Sequence, residues 1–123
     1  MLHVERCSGS HILIHANGWL SAADYDRFET AFADELVRWT LPVPLLLDMR
    51  RFRGWTLPGF VRDLQWDIRH RNAFSKIAVV GNARWHKWIT AAGRLLFRGQ
   101  LKYFPATDVQ RAEQWLAEAA SRA

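Results

Sequence analysis

The chain is 123 residues long, enough for one hydrophobic core and too short for two, so a single domain over residues 1–123 is expected. Half of the residues are apolar and 24% are charged, which excludes a disordered or fibrous chain; the one cysteine, Cys7, excludes an internal disulfide and a multi-thiolate metal centre. The net charge of +5 is unevenly placed: residues 1–49 are net −4 and residues 103–123 net −1, while residues 50–102 carry twelve Lys and Arg against only Asp63 and Asp67. That basic segment is suited to an anionic partner. Apolar runs such as Ile12–Ile14 and Leu45–Leu47 fall far short of the roughly 20 residues of a membrane-spanning helix. Residues 1–6 carry neither the basic leader nor the apolar core of a secretion signal, so a cytoplasmic protein without a transmembrane segment is expected.

Leu2–Arg6 and His11–Ala16 read as strands of an antiparallel hairpin turning at Ser8-Gly9-Ser10. Ser21-Ala22-Ala23-Asp24 is a capping box with Asp in place of Glu, and Tyr25, Phe28, Phe32, Leu36 and Trp39 follow at helical spacing. Leu41-Pro42-Val43-Pro44 ends this long helix, and Leu45–Met49 reads as a central strand buried on both faces. Residues 50–59 form a loop. Pro58 suits the first turn of a second helix, whose Phe60, Val61, Leu64 and Ile68 share one face and are expected to look into the core. Lys76–Gly81 is a second buried strand, and Ala83–Phe97 a third helix with Trp85 and Trp88 on its apolar side. Leu101–Phe104 is a short last strand, and Thr107-Asp108 caps a final helix burying Val109, Ala112, Leu116 and part of Trp115. This order, β-β-α-β-α-β-α-β-α, predicts an α/β domain with a mixed, mostly parallel central sheet of about five strands and four helices.

Several short motifs recur in a familiar order: Asp48 at a strand end, Phe52-Arg53-Gly54-Trp55, Asp63-Leu64-Gln65-Trp66-Asp67 and His70-Arg71-Asn72. Further along come Ile77–Gly81 followed by Trp85, the Tyr103-Phe104 pair, and Ala112 with Trp115-Leu116. With these residues the chain resembles the SpoIIAA-like family of STAS domains, a group related in fold to SEC14-type (CRAL-TRIO) lipid-binding domains. The resemblance spans almost the whole chain and implies a STAS-like fold. The wider group includes anti-anti-sigma factors, transporter regulatory domains and binders of lipids or other apolar molecules. Its phosphorylatable serine lies in an Asp-Ser-Ser-Gly motif between strand and helix, and here the chain departs from the pattern: in Arg50–Gly59 the only hydroxyl is Thr56.

Thr56 has two readings, a phosphosite whose phosphate would meet helix N-terminal amides and arginines, or a helix cap. Trp55 shares its loop with Gly54, at the end of the sheet where α/β folds place ligands. Trp66 lies opposite the expected core-facing stripe of its helix, with Asp63 and His70, and is expected at a pocket mouth or a contact between molecules. Several of Arg50, Arg51, Arg53, Arg62, Arg69, Arg71 and Lys87 are expected to converge on one surface near these two tryptophans. The candidate ligand- or partner-binding residues are therefore Arg51, Arg53, Trp55, Thr56, Trp66, His70, Trp85 and Trp88.

Catalytic patterns are absent: no Gly-rich phosphate loop, Gly-x-Ser-x-Gly elbow or His-Glu-x-x-His helix occurs. His11 and His15 share a strand face at a spacing too wide for a metal without other ligands, and Asp67 could pair with His70. No enzyme, metal or cofactor is expected. Two functions fit: binding a small amphipathic anion such as a lipid, or STAS-type contact with a regulatory protein or a second copy in a homodimer. The charge alone also suits nucleic acid, but no recognition motif accompanies it and none is expected as a partner.

Overall fold

The computed structural model describes residues 1–5, 11–70, 72–81 and 100–118. The expected turn at 8–10, Cys7, Arg71, Lys87 and the expected helix over 83–97 with Trp85 and Trp88 lie outside the described residues. Within them run β1 (Leu2–Glu5), β2 (Ile12–Ala16), β3 (Gly18–Leu20), α1 (Ala22–Leu36), β4 (Val43–Met49), β5 (Phe52–Trp55), α2 (Leu57–His70), β6 (Phe74–Gly81), β7 (Gln100–Pro105) and α3 (Val109–Glu118). No described helix is long and apolar enough to cross a membrane.

The central sheet has the order β1-β2-β4-β6-β7. β1 pairs antiparallel with β2, Leu2 opposite Ala16, and the β2–β4, β4–β6 and β6–β7 pairings are parallel. Alternation along each strand divides the core in two. Ile12, Ile14, Leu45 and Val79 face α1 and α2, while Leu46, Ala78 and Val80 face Ala112 and Leu116 of α3. Two short strands within the expected loops, β3 and β5, form a separate parallel ribbon. β3 follows directly on β2, and β5 on β4, so the ribbon sits at the carboxyl end of the sheet.

α1 starts as its sequence dictates. The Ser21 hydroxyl accepts from the Asp24 N–H and the Asp24 carboxylate accepts from the Ser21 N–H, closing the capping box. Tyr25, Phe28 and Phe32 are then buried on its inner stripe.

The orientation of α2 differs from the expected one. Val61 and Ile68 are 47% and 51% exposed, and Trp66, expected at the periphery, is only 8% exposed. Its ring lies 5.1 Å from Phe32, 5.7 Å from Phe28 and 6.1 Å from Phe74, in the heart of the first core. The cause is tertiary. The inward stripe is Gly59, Asp63, Trp66 and His70, and Gly59 passes so close to β3 that a Cβ there would stand 2.2 Å from the Leu20 carbonyl oxygen. Only that stripe can face inward, and burying one indole against three phenyl rings outweighs burying Val61 and Ile68. Among the described residues the Trp66 indole N–H has no acceptor, a cost of about 1–3 kcal/mol that the aromatic cluster must exceed.

Candidate functional site

At the start of α2, Thr56 is the N-cap. Its hydroxyl accepts from the Gly59 N–H at 3.1 Å and leans on the Leu20 carbonyl at 3.4 Å, while its own N–H donates to that carbonyl at 2.9 Å. The capping reading of Thr56 is thus seen directly, and the residue as a whole is nonetheless exposed. Arg51 and Arg53, flanking Phe52, are exposed and form no ion pair among the described residues. Trp19 on β3, 60% exposed, lies over Gly54, where φ is +145° and a Cβ would come within 2.8 Å of the indole. Leu57, the first residue of α2, is 78% exposed. The ribbon and the first turn of α2 therefore present Trp19, Leu57, Arg51, Arg53 and Thr56 at one end of the molecule, continued by Val61 and Ile68 along the outer face of the helix.

The other candidates are placed elsewhere. Trp66 is buried in the first core. His70 packs edge-on against Phe32 at 5.3 Å, and its Nδ1–H donates to the Trp66 carbonyl at 3.0 Å rather than to Asp67. Arg50, Arg62 and Arg69 do not join Arg51 and Arg53, because acids of the N-terminal part of the chain engage them one by one. Arg62 pairs with Asp26, Arg69 with Glu29 at 2.9 Å, and Arg50 with Asp48. Part of the charge division along the sequence is thus complementarity between α1 and α2.

Trp55 is half-buried, edge-on to Phe52 at 4.6 Å and to Phe60 at 5.4 Å. Its indole N–H donates to the Tyr25 hydroxyl at 3.0 Å, and that hydroxyl donates to Asp63 Oδ1 at 2.7 Å. Asp67 lies one turn further along α2. Asp63 and Asp67 are both half-buried. Desolvation raises the pKa of each above the ordinary Asp range, and the Asp63 charge raises Asp67 further.

On the opposite face of the sheet, Asp48 at the end of β4 is saturated with donors. Arg50 grips it through Nε at 2.9 Å, Nη2 at 2.8 Å and its backbone N–H at 3.1 Å, and His15 Nδ1–H adds a fourth bond at 3.0 Å. Burial pushes the Asp48 carboxyl up, but the Arg50 hydrogen bonds and charge outweigh it and hold the pKa below its usual value. A shallow pocket of about 80 Å³ adjoins this cluster, floored by Leu13, Leu46, Val80 and Val109 and rimmed by His15, Arg50 and Glu113. Behind it His11, buried and with Nδ1 unpartnered among the described residues, has its pKa lowered by desolvation, partly offset by Glu113. Among the described residues no group of three or more His, Cys, Asp or Glu side chains could hold a metal ion.

Trp19, Tyr25 and the Asp63–Asp67 pair are the residues that the sequence reading did not single out as a site. Trp19 belonged to no apolar stripe and stood next to Gly18, which was a usable signal. The two aspartates were conspicuous as the only acids in a strongly basic stretch.

The described fold has solved counterparts. An uncharacterized protein of the DUF3478 family with a SpoIIAA-like fold, from Shewanella loihica PV-4, superposes with a TM-score of 0.79 at 24% identity, covering 94% of this chain and 92% of its own. The anti-sigma factor antagonist SpoIIAA in its unphosphorylated form superposes with a TM-score of 0.63 at 10% identity, covering 94% and 97%. At these identities the likeness is one of fold. No curated protein matches the sequence. The SpoIIAA-like family model matches residues 11–117, nearly the whole chain, and the protein therefore belongs to the SpoIIAA-like family.

Proposed function

We propose that the chain is a non-enzymatic, STAS-type interaction module that docks a regulatory protein through the β3–β5 ribbon and the outward face of α2. The observation that carries this reading is the rotation of α2, which turns Leu57, Val61 and Ile68 to solvent beside an exposed Trp19. Exposed apolar and aromatic anchors with a polar rim are the usual anatomy of a protein contact. With Arg51 and Arg53 on that rim and no acid paired to them among the described residues, the fitting partner presents acidic side chains around an apolar centre. A phosphate on Thr56, an exposed residue whose hydroxyl caps α2, would bring up to about two negative charges to the first turn of α2, inside the docking face, and so regulate the contact.

Affinity purification from the source cells, comparing wild type with Leu57→Asp and Arg53→Glu, tests this. A protein that co-purifies stoichiometrically with wild type should be lost from both variants while circular dichroism stays unchanged. If native mass spectrometry instead shows a dimer that Leu57→Asp dissolves, the face belongs to a second copy; if anionic vesicles are preferred over neutral ones until Arg53→Glu is made, it belongs to a membrane surface. Identical partners for wild type and both variants would refute the docking face.

A further inference from the structure

We infer that α2 offers its partner a coiled-coil seam, so that the element docking on this face is an amphipathic α-helix with leucine, valine or isoleucine at heptad spacing and acidic side chains at the end next to β5. This rests on the docking role proposed above for the outer face of α2. Leu57, Val61, Leu64 and Ile68 follow one another at steps of four, three and four residues, and at 3.6 residues per turn they fall within about 60° of each other. Leu57, Val61 and Ile68 are 78%, 47% and 51% exposed and Leu64 is half-buried, so the line lies open along the side of α2 opposite the inward Gly59, Asp63, Trp66 and His70. The steps put both leucines at d and the β-branched Val61 and Ile68 at a of a heptad, the combination that favours pairing with a single further helix. From Leu57 to Ile68 the line rises about 16 Å, roughly three turns. A partner helix can follow it knob by knob, whereas an extended strand, with same-side residues about 7 Å apart, falls out of step.

Charge decides what flanks the partner's seam. Arg62 and Arg69 are paired with Asp26 and Glu29 of α1, whereas Arg51 and Arg53 stand exposed before and within β5, at the Leu57 end of the line. Acids on the partner helix are favoured at that end. A second copy of α2 supplies none there: laid parallel it brings Arg51 and Arg53 again, and laid antiparallel it brings Arg69 and His70 of its last turn. The charge therefore selects a different protein over a second copy.

The probes are two labelled synthetic peptides of about 21 residues, long enough to hold a helix, built from the same valines, leucines, alanines and glutamates. One carries its apolar residues at a and d with the glutamates flanking one end; the other carries them in strict alternation. Fluorescence anisotropy should show wild type binding the heptad peptide at least about tenfold more tightly than the alternating one. Ile68→Asp, at the end of α2 away from the ribbon, should weaken that binding by at least about tenfold, with Val61→Ser taking its place if the circular dichroism of Ile68→Asp is altered. Gln110→Asp, at an exposed position of α3, should leave it unchanged. Equal binding of the two peptides, no binding of either, or binding that survives both seam variants would overturn the helical seam. The docking face stands or falls separately. If the protein co-purifying with wild type is lost with Leu57→Asp and Arg53→Glu but kept with Ile68→Asp, the face holds and the seam does not; if all three variants keep it, the face itself is refuted.

Discussion

Replacing Gly59 with alanine sets two effects of known size against each other. Alanine is favoured over glycine inside a helix by about 1 kcal/mol, a gain that includes the lower entropy of the unfolded chain. Against it, the new methyl would stand 2.2 Å from the Leu20 carbonyl oxygen, 2.9 Å from its carbon and 3.0 Å from the Ser21 Cα, where ordinary contact begins at 3.4 Å. All three are backbone atoms, so no side chain can swing aside, and α2 must move off the ribbon by about 1.2 Å. Overpacking of this kind costs about 1–3 kcal/mol or more. The same displacement stretches the Gly59–Thr56 cap and the Thr56 hydrogen bonds to Leu20, each worth about 0.5–1.5 kcal/mol. The clash therefore wins, with a net loss of about 1–3 kcal/mol, or roughly 4–12 °C in Tm for a domain of this size. Urea unfolding should show a lower midpoint at unchanged slope. A midpoint equal to or above that of wild type would refute the close approach of α2 to β3, and with it the explanation of why α2 turns Trp66 inward.

Trp66→Ala should cost about 3–5 kcal/mol, because it opens a void among Phe28, Phe32 and Phe74; a loss below about 1 kcal/mol in chemical denaturation would return Trp66 to the surface. Asp48 behaves oppositely to the Asp63–Asp67 pair. Its lowered pKa contributes stability that is present above the ordinary Asp value and lost as pH falls through the lowered one, so Arg50→Ala should shrink the acid-side loss of wild type between about pH 5 and 2. Since the Arg50 side chain is nearly half exposed, that change should stay below about 1 kcal/mol, and identical acid limbs for the two proteins would count against the pairing.

Long elements whose periodicity or capping is local were legible in the chain itself. α1 follows from its capping box and the Tyr25–Phe28–Phe32 spacing, and β4 and β6 from runs too apolar to lie anywhere but inside the sheet. β3 and β5 were not legible, because strands of three and four residues carry almost no alternation and are defined only by pairing with each other across the fold. The candidate site divides in the same way. Arg51, Arg53 and Thr56 are exposed at the carboxyl end of the sheet, as the loop chemistry around Gly54 suggested, but Trp66 and His70 are interior and Trp19 takes the surface position instead.

The sequence by itself determined the longer strands and helices among the described residues, that the middle of the chain is basic, and that α2 has two chemically different faces. Which face turns inward was decided only in three dimensions. An amphipathic pattern ranks faces by hydrophobicity alone, whereas the observed choice depends on what the neighbours present: a carbonyl at Leu20 that tolerates nothing larger than Gly59, a row of phenyl rings on α1 waiting for Trp66, and acids at Asp26 and Glu29 that draw Arg62 and Arg69 toward α1. Those partners lie 30 to 40 residues away along the chain, and contacts at such separations leave no trace in a local period.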